Sequence, residues 1–138
     1  MSVSPQRAQS STEDSEINKI THGIIGAAMK VHSTLGPGLL EKAYNVFLAH
    51  ELRKNGFKVE TEVKLPVTYD GVSVDLAYRI DLVVNDLVIV ELKCVEKILP
   101  VHEAQIISYL KLSGKRVGLL INFHVSHLKH GIKRFIDG

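Results

Sequence analysis

Asp81 lies in the run Ile80-Asp-Leu-Val-Val84, and Glu91 and Lys93 lie in Leu87-Val-Ile-Val-Glu-Leu-Lys93. Both runs are otherwise apolar and are joined by Asn85-Asp86, so they read as two β-strands and a tight turn. A charge buried without a partner is strongly unfavourable or neutralises itself, so three charges in two such strands need a reason. Residues two apart on a strand point to one face, which brings Glu91 and Lys93 out together, roughly 6–7 Å apart. The turn decides where Asp81 goes. A two-residue loop pairs Val84 with Leu87 and Asp81 with Val90, and turns Asp81 away from Glu91. A three-residue loop over residues 85–87 pairs Val84 with Val88 and sets Asp81 opposite Glu91; such loops, with a bulge, are common.

In the second register two carboxylates face each other with a lysine beside them. Like charges directly opposite destabilise a bare sheet. A divalent cation removes that penalty, and carboxylate oxygens suit Mg²⁺, with Mn²⁺ as its substitute. Such an ion lowers the pKa of bound water and polarises a phosphoryl oxygen. The lysine can stabilise developing anionic charge or orient the attacking water. The bland alternative is an ordinary Glu91–Lys93 ion pair with Asp81 on the surface. The shared face and the apolar strands favour the site.

The elements that must position these residues follow from periodicity. Ile17, Ile20, Ile24, Ala27, Ala28, Val31 and Leu35 have helical spacing, and Gly36-Pro37-Gly38 ends that helix. A second helix is expected over residues 39–54 with Leu40, Ala43, Tyr44, Phe47 and Leu48 inward, stopped by Asn55-Gly56. Glu41 falls in its first turn, where a carboxylate favours the helix dipole or forms half of a capping box, and where it can also project into a site. Residues 58–69 alternate cleanly. The turn signal Asp70-Gly71 pairs them with residues 72–81, which puts Asp81 on the polar face, in agreement with the register above. A helix over residues 101–112 packs through Ala104, Ile107, Tyr109 and Leu110, and lets His102, Gln105 and Tyr109 share a face. Residues 117–122 read as a buried strand. A last helix over residues 126–136 buries Leu128, Ile132, Phe135 and Ile136. It leaves Lys129, His130, Lys133 and Arg134 outside, either as a solvated face or as nucleic-acid contacts through Lys129, Lys133 and Arg134. His124, His127 and His130 recur every third residue and are expected to be ordinary surface histidines rather than zinc ligands.

Residues 1–16 are polar and aperiodic and read as a disordered tail, with residues 17–138 as a single domain. The tail is net −2, so the remainder carries +4 where the whole chain of 138 residues carries +2. That balance permits a nucleic-acid partner without requiring one. One cysteine, Cys94, leaves no intramolecular disulfide, reads as a small buried apolar residue and fits a reducing cytoplasm. No run reaches transmembrane length.

Gly38-Leu-Leu-Glu41-Lys-Ala-Tyr44 resembles the pattern that names the GxxExxY proteins, which are assigned to the PD-(D/E)XK nuclease superfamily. The resemblance extends through Asp81, Glu91-Leu-Lys93, Val101-His-Glu-Ala-Gln105, Ser108-Tyr-Leu110 and Gly118-Leu-Leu-Ile-Asn-Phe123, and covers about residues 17–136. It implies an α/β (α+β) restriction-endonuclease-like core, a central mixed sheet of about four strands flanked by helices. It further implies Asp81 and Glu91 as metal ligands, Lys93 as the catalytic lysine, Glu41 as the helical acid near the metal, and Gln105 as an additional polar site residue. The proline that precedes the first acid in the superfamily is Ile80 here. The implied activity is divalent-metal-dependent hydrolysis of DNA or RNA phosphodiester bonds. The alternative is a non-catalytic nucleic-acid or protein-binding module that kept the fold. Cutting both strands of a duplex needs two sites, which leaves room for a homodimer or a protein partner.

Overall fold

The computed structural model describes residues 5–75 and 78–137. Helix α1 spans Pro5–Leu35 and α2 spans Glu41–Lys54. The strands are β1, Val59–Lys64; β2, Val67–Tyr69; β3, Val72–Val74; β4, Arg79–Val84; β5, Val88–Lys93; β6, Val117–Asn122; and β7, Ile132–Ile136. Helix α3, Pro100–Ser113, connects β5 to β6, and a short 3-10 turn, Leu128–Gly131, leads into β7.

Helix α1 buries the stripe Ile17, Ile20, Ile24, Ala27, Ala28 and Val31, as its spacing requires. It starts at Pro5, so the expected tail over residues 1–16 is helical from residue 5 onward, while residues 1–4 lie outside the described residues. Proline is tolerated in a first helical turn, and neither glycine nor proline interrupts residues 6–22. Glu13 and Asp14 also gain a partner in Arg116, 3.9 and 2.9 Å away. Gly36, at φ 77, ends α1, and its N–H reaches the carbonyl of His32 at 2.7 Å. Helix α2 buries Tyr44, Leu48, Ala49 and Leu52, whereas Leu40 and Phe47, expected inside, are 81% and 44% exposed.

The main sheet is mixed and has the order β1-β4-β5-β6-β7. The β5–β6 pair is parallel, and the other three pairs are antiparallel. A parallel pair needs a crossover, which α3 supplies. The β4–β5 turn has three residues: Val84 pairs with Val88 and Leu82 with Val90. Asn85 and Asp86 take φ of 51 and 60, a conformation their short polar side chains tolerate, and the Asn85 side chain accepts the Lys58 N–H at 2.8 Å. One core lies between α1, α2 and the sheet and includes Leu82, Val84, Val90 and Leu92; the other lies under α3 and includes Ile80, Val83, Ile89, Ile106 and Leu120.

Two further expectations are corrected. The strand pair over residues 58–81 is not one continuous hairpin. Pro66 has no N–H to extend the ladder, and the register changes beyond Lys64–Arg79, so β2 and β3 form a separate two-stranded arm. Residues 76 and 77, expected in this strand, lie outside the described residues. Residues 126–136 are not a helix. Leu128–Gly131 is a 3-10 turn, and Ile132–Ile136 pairs antiparallel with β6, Ile121 opposite Ile132. The chain can make that turn because Gly131 has no side chain: a Cβ there would sit 2.3 Å from the Asn122 carbonyl oxygen.

Candidate active site

The site lies where β4 and β5 part. Their backbone pairing runs from Val84–Val88 to Leu82–Val90 and is then replaced by side chains. The Leu92 N–H donates to Asp81 Oδ2 at 2.8 Å, and the Asp81 N–H points at Glu91 Oε2 at 3.4 Å. The two carboxyl groups are thereby built into the gap, as the three-residue turn required. On the other side of β4, Glu62 takes φ 50 and the Glu62–Asp81 step is missing from the β1–β4 ladder. At that step β4 changes cores: Ile80 packs under α3 and Leu82 under α1 and α2.

Lys93 Nζ donates to Gln105 Oε1 at 3.1 Å, and Gln105 Nε2 donates to the Tyr109 hydroxyl at 3.1 Å. The ammonium can only donate, which fixes the amide oxygen as the end that faces it, and the Tyr109 hydroxyl takes the other end. Gln105 and Tyr109 are one turn apart on α3, the shared face their spacing predicts. The start of α3 is held by Leu99 and His102: the Leu99 N–H donates to His102 Nδ1 at 2.9 Å, and the His102 N–H returns to the Leu99 carbonyl at 2.9 Å. Asn122, beside Lys93 in the β5–β6 register, clamps the chain leaving β5. Its side chain accepts the Val95 N–H at 3.1 Å and donates to the Val95 carbonyl at 2.8 Å.

Glu41 is the first residue of α2, with Leu40 as N-cap, so the capping-box reading fails and the dipole reading stands. The loop before it is latched by Tyr44, fully buried and stacked on Phe123 at 4.4 Å. The Tyr44 hydroxyl donates to the Gly36 carbonyl and accepts the Leu39 N–H at 3.0 Å. This explains physically why a tyrosine stands three residues after Glu41.

The electrostatics converge on the same place. Glu91 is only 3% exposed. Burial, the hydrogen bond to Asp81 and the Asp81 charge push its carboxyl up to about 10, against the pull of the Asp81 N–H and of Lys93. Among the described residues, Glu91 Oε1 is buried without a hydrogen-bond partner. Partial burial raises the Glu41 carboxyl, Asp81 raises it further, and Lys93 draws it back. Burial and then the Glu91 charge raise the Tyr109 hydroxyl, while burial and then Glu41 raise the Cys94 thiol. Tyr109 and Asn122 were not placed in the site from sequence. The offset of four from Gln105 was the available signal for Tyr109; for Asn122 it was its place in the motif over residues 118–123.

Among the described residues, no group of three or more His, Cys, Asp or Glu side chains converges tightly enough to hold a metal on its own. What the site offers is the Asp81–Glu91 pair with one orphaned buried carboxyl oxygen. That fits Mg²⁺, which binds through one or two carboxylates and keeps water or phosphate oxygens as its remaining ligands. The expected basic face of Lys129, Lys133 and Arg134 is not assembled. Lys133 and Arg134 are successive strand residues and alternate in direction. Lys133 pairs with Glu103 at 2.9 Å, while Arg134 donates to Asn18 at 3.0 Å. The rings of His127 and His130 meet edge to face at 6.3 Å.

The sequence model of the PD-(D/E)XK nuclease superfamily matches residues 18–135. No curated protein and no solved structure matches the chain. Among the described residues, no helix is long and apolar enough to cross a membrane.

Proposed function

The chain belongs to the PD-(D/E)XK nuclease superfamily, and on that premise we propose that it hydrolyses phosphodiester bonds of DNA or RNA with a divalent cation held at Asp81 and Glu91. The observation that carries this reading is Glu91, a buried carboxyl with one unpartnered oxygen beside a second carboxyl. Gly38, Glu41 and Tyr44 support assignment to the GxxExxY branch.

When bound, Mg²⁺ polarises a phosphoryl oxygen and activates water. The chain supplies the rest. Asp81 and Glu91 would hold the cation, Glu91 in its deprotonated form. Glu41, whose carboxyl feels the charges of Asp81 and Lys93, would orient water beside the pair. Lys93 presents its ammonium to the negative charge that develops on the phosphoryl group, and Gln105, itself set by Tyr109, holds that ammonium in place. A duplex cut needs a second such site, from a homodimer or a protein partner, and the absence of disulfide pairing suits a cytoplasmic setting.

The test is cleavage of end-labelled DNA and RNA by purified protein with Mg²⁺, Mn²⁺ or chelator. Wild type cuts with either metal and not with chelator. Lys93→Ala loses on the order of 10²-fold in rate yet still binds the oligonucleotide. Binding without cutting under every metal condition would replace the nuclease reading with the binding-module one.

A further inference from the structure

Lys64 and Arg79 stand directly opposite each other in the β1–β4 ladder, and both are exposed. Side chains opposite each other in an antiparallel pair lie on one side of the sheet, and two like charges there repel. Among the described residues, neither makes an ion pair or a side-chain hydrogen bond. Elsewhere Arg116 meets Glu13 and Asp14, and Lys133 meets Glu103. Glu62, the nearest acid before Lys64 on β1, takes φ 50 and leaves Lys64 unpaired.

Their position matters as much as their charge. Arg79 is two residues before Asp81 on β4, roughly 6–7 Å along the strand, a step comparable to that between neighbouring phosphates of a nucleic-acid strand. β1 is the edge of the main sheet, so among the described residues no strand of that sheet covers its outer side. A guanidinium presents a planar fork that matches a phosphate, and an ammonium opposite it completes a two-cation clamp.

We propose that Lys64 and Arg79 together grip a non-scissile phosphate of the substrate strand and so set which phosphodiester reaches Asp81 and Glu91. Such a contact fixes register without reading sequence. The inference rests on the nuclease reading and adds to it where the substrate backbone runs: over the β1–β4 edge, and not over the β7 face.

The experiment measures binding of a fluorescein-labelled oligonucleotide by anisotropy, with chelator present so that nothing is cut, over a series of salt concentrations. Lys64→Ala and Arg79→Ala each weaken binding and reduce the slope of log K against log salt by about one. Arg79→Glu weakens binding further, while its melting temperature equals or exceeds that of wild type, because it sets a carboxylate opposite Lys64. Lys111→Ala removes one charge from an exposed position on α3 and leaves the slope unchanged. If wild type binds and all four variants share its slope, the clamp is wrong and the nuclease reading stands. If wild type binds no DNA or RNA, both fall. If Arg79→Glu melts well below wild type, the pair has a structural role that the clamp does not explain, and the inference is overturned.

Discussion

Tyr44→Phe isolates the latch that leads the chain into Glu41. The substitution keeps the ring and its 4.4 Å stack on Phe123 and removes only the hydroxyl. Two hydrogen bonds go with it, one donated to Gly36 and one accepted from Leu39. Each is worth about 0.5–1.5 kcal/mol net, so the loss is about 1–3 kcal/mol. For a chain of 138 residues the unfolding entropy is about 0.3 kcal/mol/K. The melting temperature should therefore fall by about 3–10 °C. Tyr44→Ala removes the fully buried ring as well, costs about 3–5 kcal/mol in all, and should lower the melting temperature by about 10–17 °C. Thermal melts followed by circular dichroism give these values. Limited proteolysis should open the loop at Leu39 and Leu40 in Tyr44→Phe before the rest of the chain. A Tyr44→Phe protein that melts within about 1 °C of wild type, with an equally resistant loop, would show that the hydroxyl latches nothing.

Three further outcomes follow from the geometry. In chelator, Glu91, pushed up to about 10 from 4.5, keeps its proton in the folded state while the unfolded chain releases it; because the folded value is the raised one, this stabilisation is complete below 4.5 and is lost as pH rises toward 10. Between pH 5 and 8 wild type should thus lose about 1.4 kcal/mol per pH unit relative to Glu91→Gln, and parallel melting curves for the two proteins would refute it. Gly131→Ala forces a Cβ to within 2.3 Å of the Asn122 carbonyl and should destabilise by about 1–3 kcal/mol, seen as a lower urea midpoint; an unchanged midpoint would mean the turn relaxes freely. Tyr109→Phe releases the Gln105 amide, so cleavage should slow about tenfold with cation affinity retained, and equal loss of both would place Tyr109 in cation binding instead.

The fold class and the meeting of Asp81 with Glu91 were more legible than the course of the chain around them. Asp81 and Glu91 could be brought together from local facts alone: apolar alternation, and a turn whose Asn85 and Asp86 accept left-handed backbone. The face exchange at Asp81 could not, because it depends on Glu62 breaking the ladder from a neighbouring strand. The C-terminal strand was misread for a related reason. Leu128, Ile132, Phe135 and Ile136 fit helical spacing, but β6 offered an unpaired edge more than ten residues away in register, and tertiary pairing overrides propensity. The same non-local pairing dispersed Lys129, Lys133 and Arg134, which a helix would have gathered. The start of α1 escaped notice because its first turns are polar, and its tie to Arg116 spans the chain.

The central claim is that Asp81 and Glu91 form a cation site, and metal-dependent melting of wild type against Asp81→Asn tests it most directly. A cation at a hundred times its Kd stabilises the folded state by about 2.7 kcal/mol, or about 9 °C for this chain. Wild type should show that rise with Mn²⁺ and with Mg²⁺, Mn²⁺ acting at lower concentration. Asp81→Asn removes one of two facing carboxylates and keeps an oxygen that can accept the Leu92 N–H. In chelator it should melt at or above wild type, and the metal should no longer raise it. A wild type that ignores both metals, or an Asp81→Asn protein that keeps the full rise, would contradict the claim.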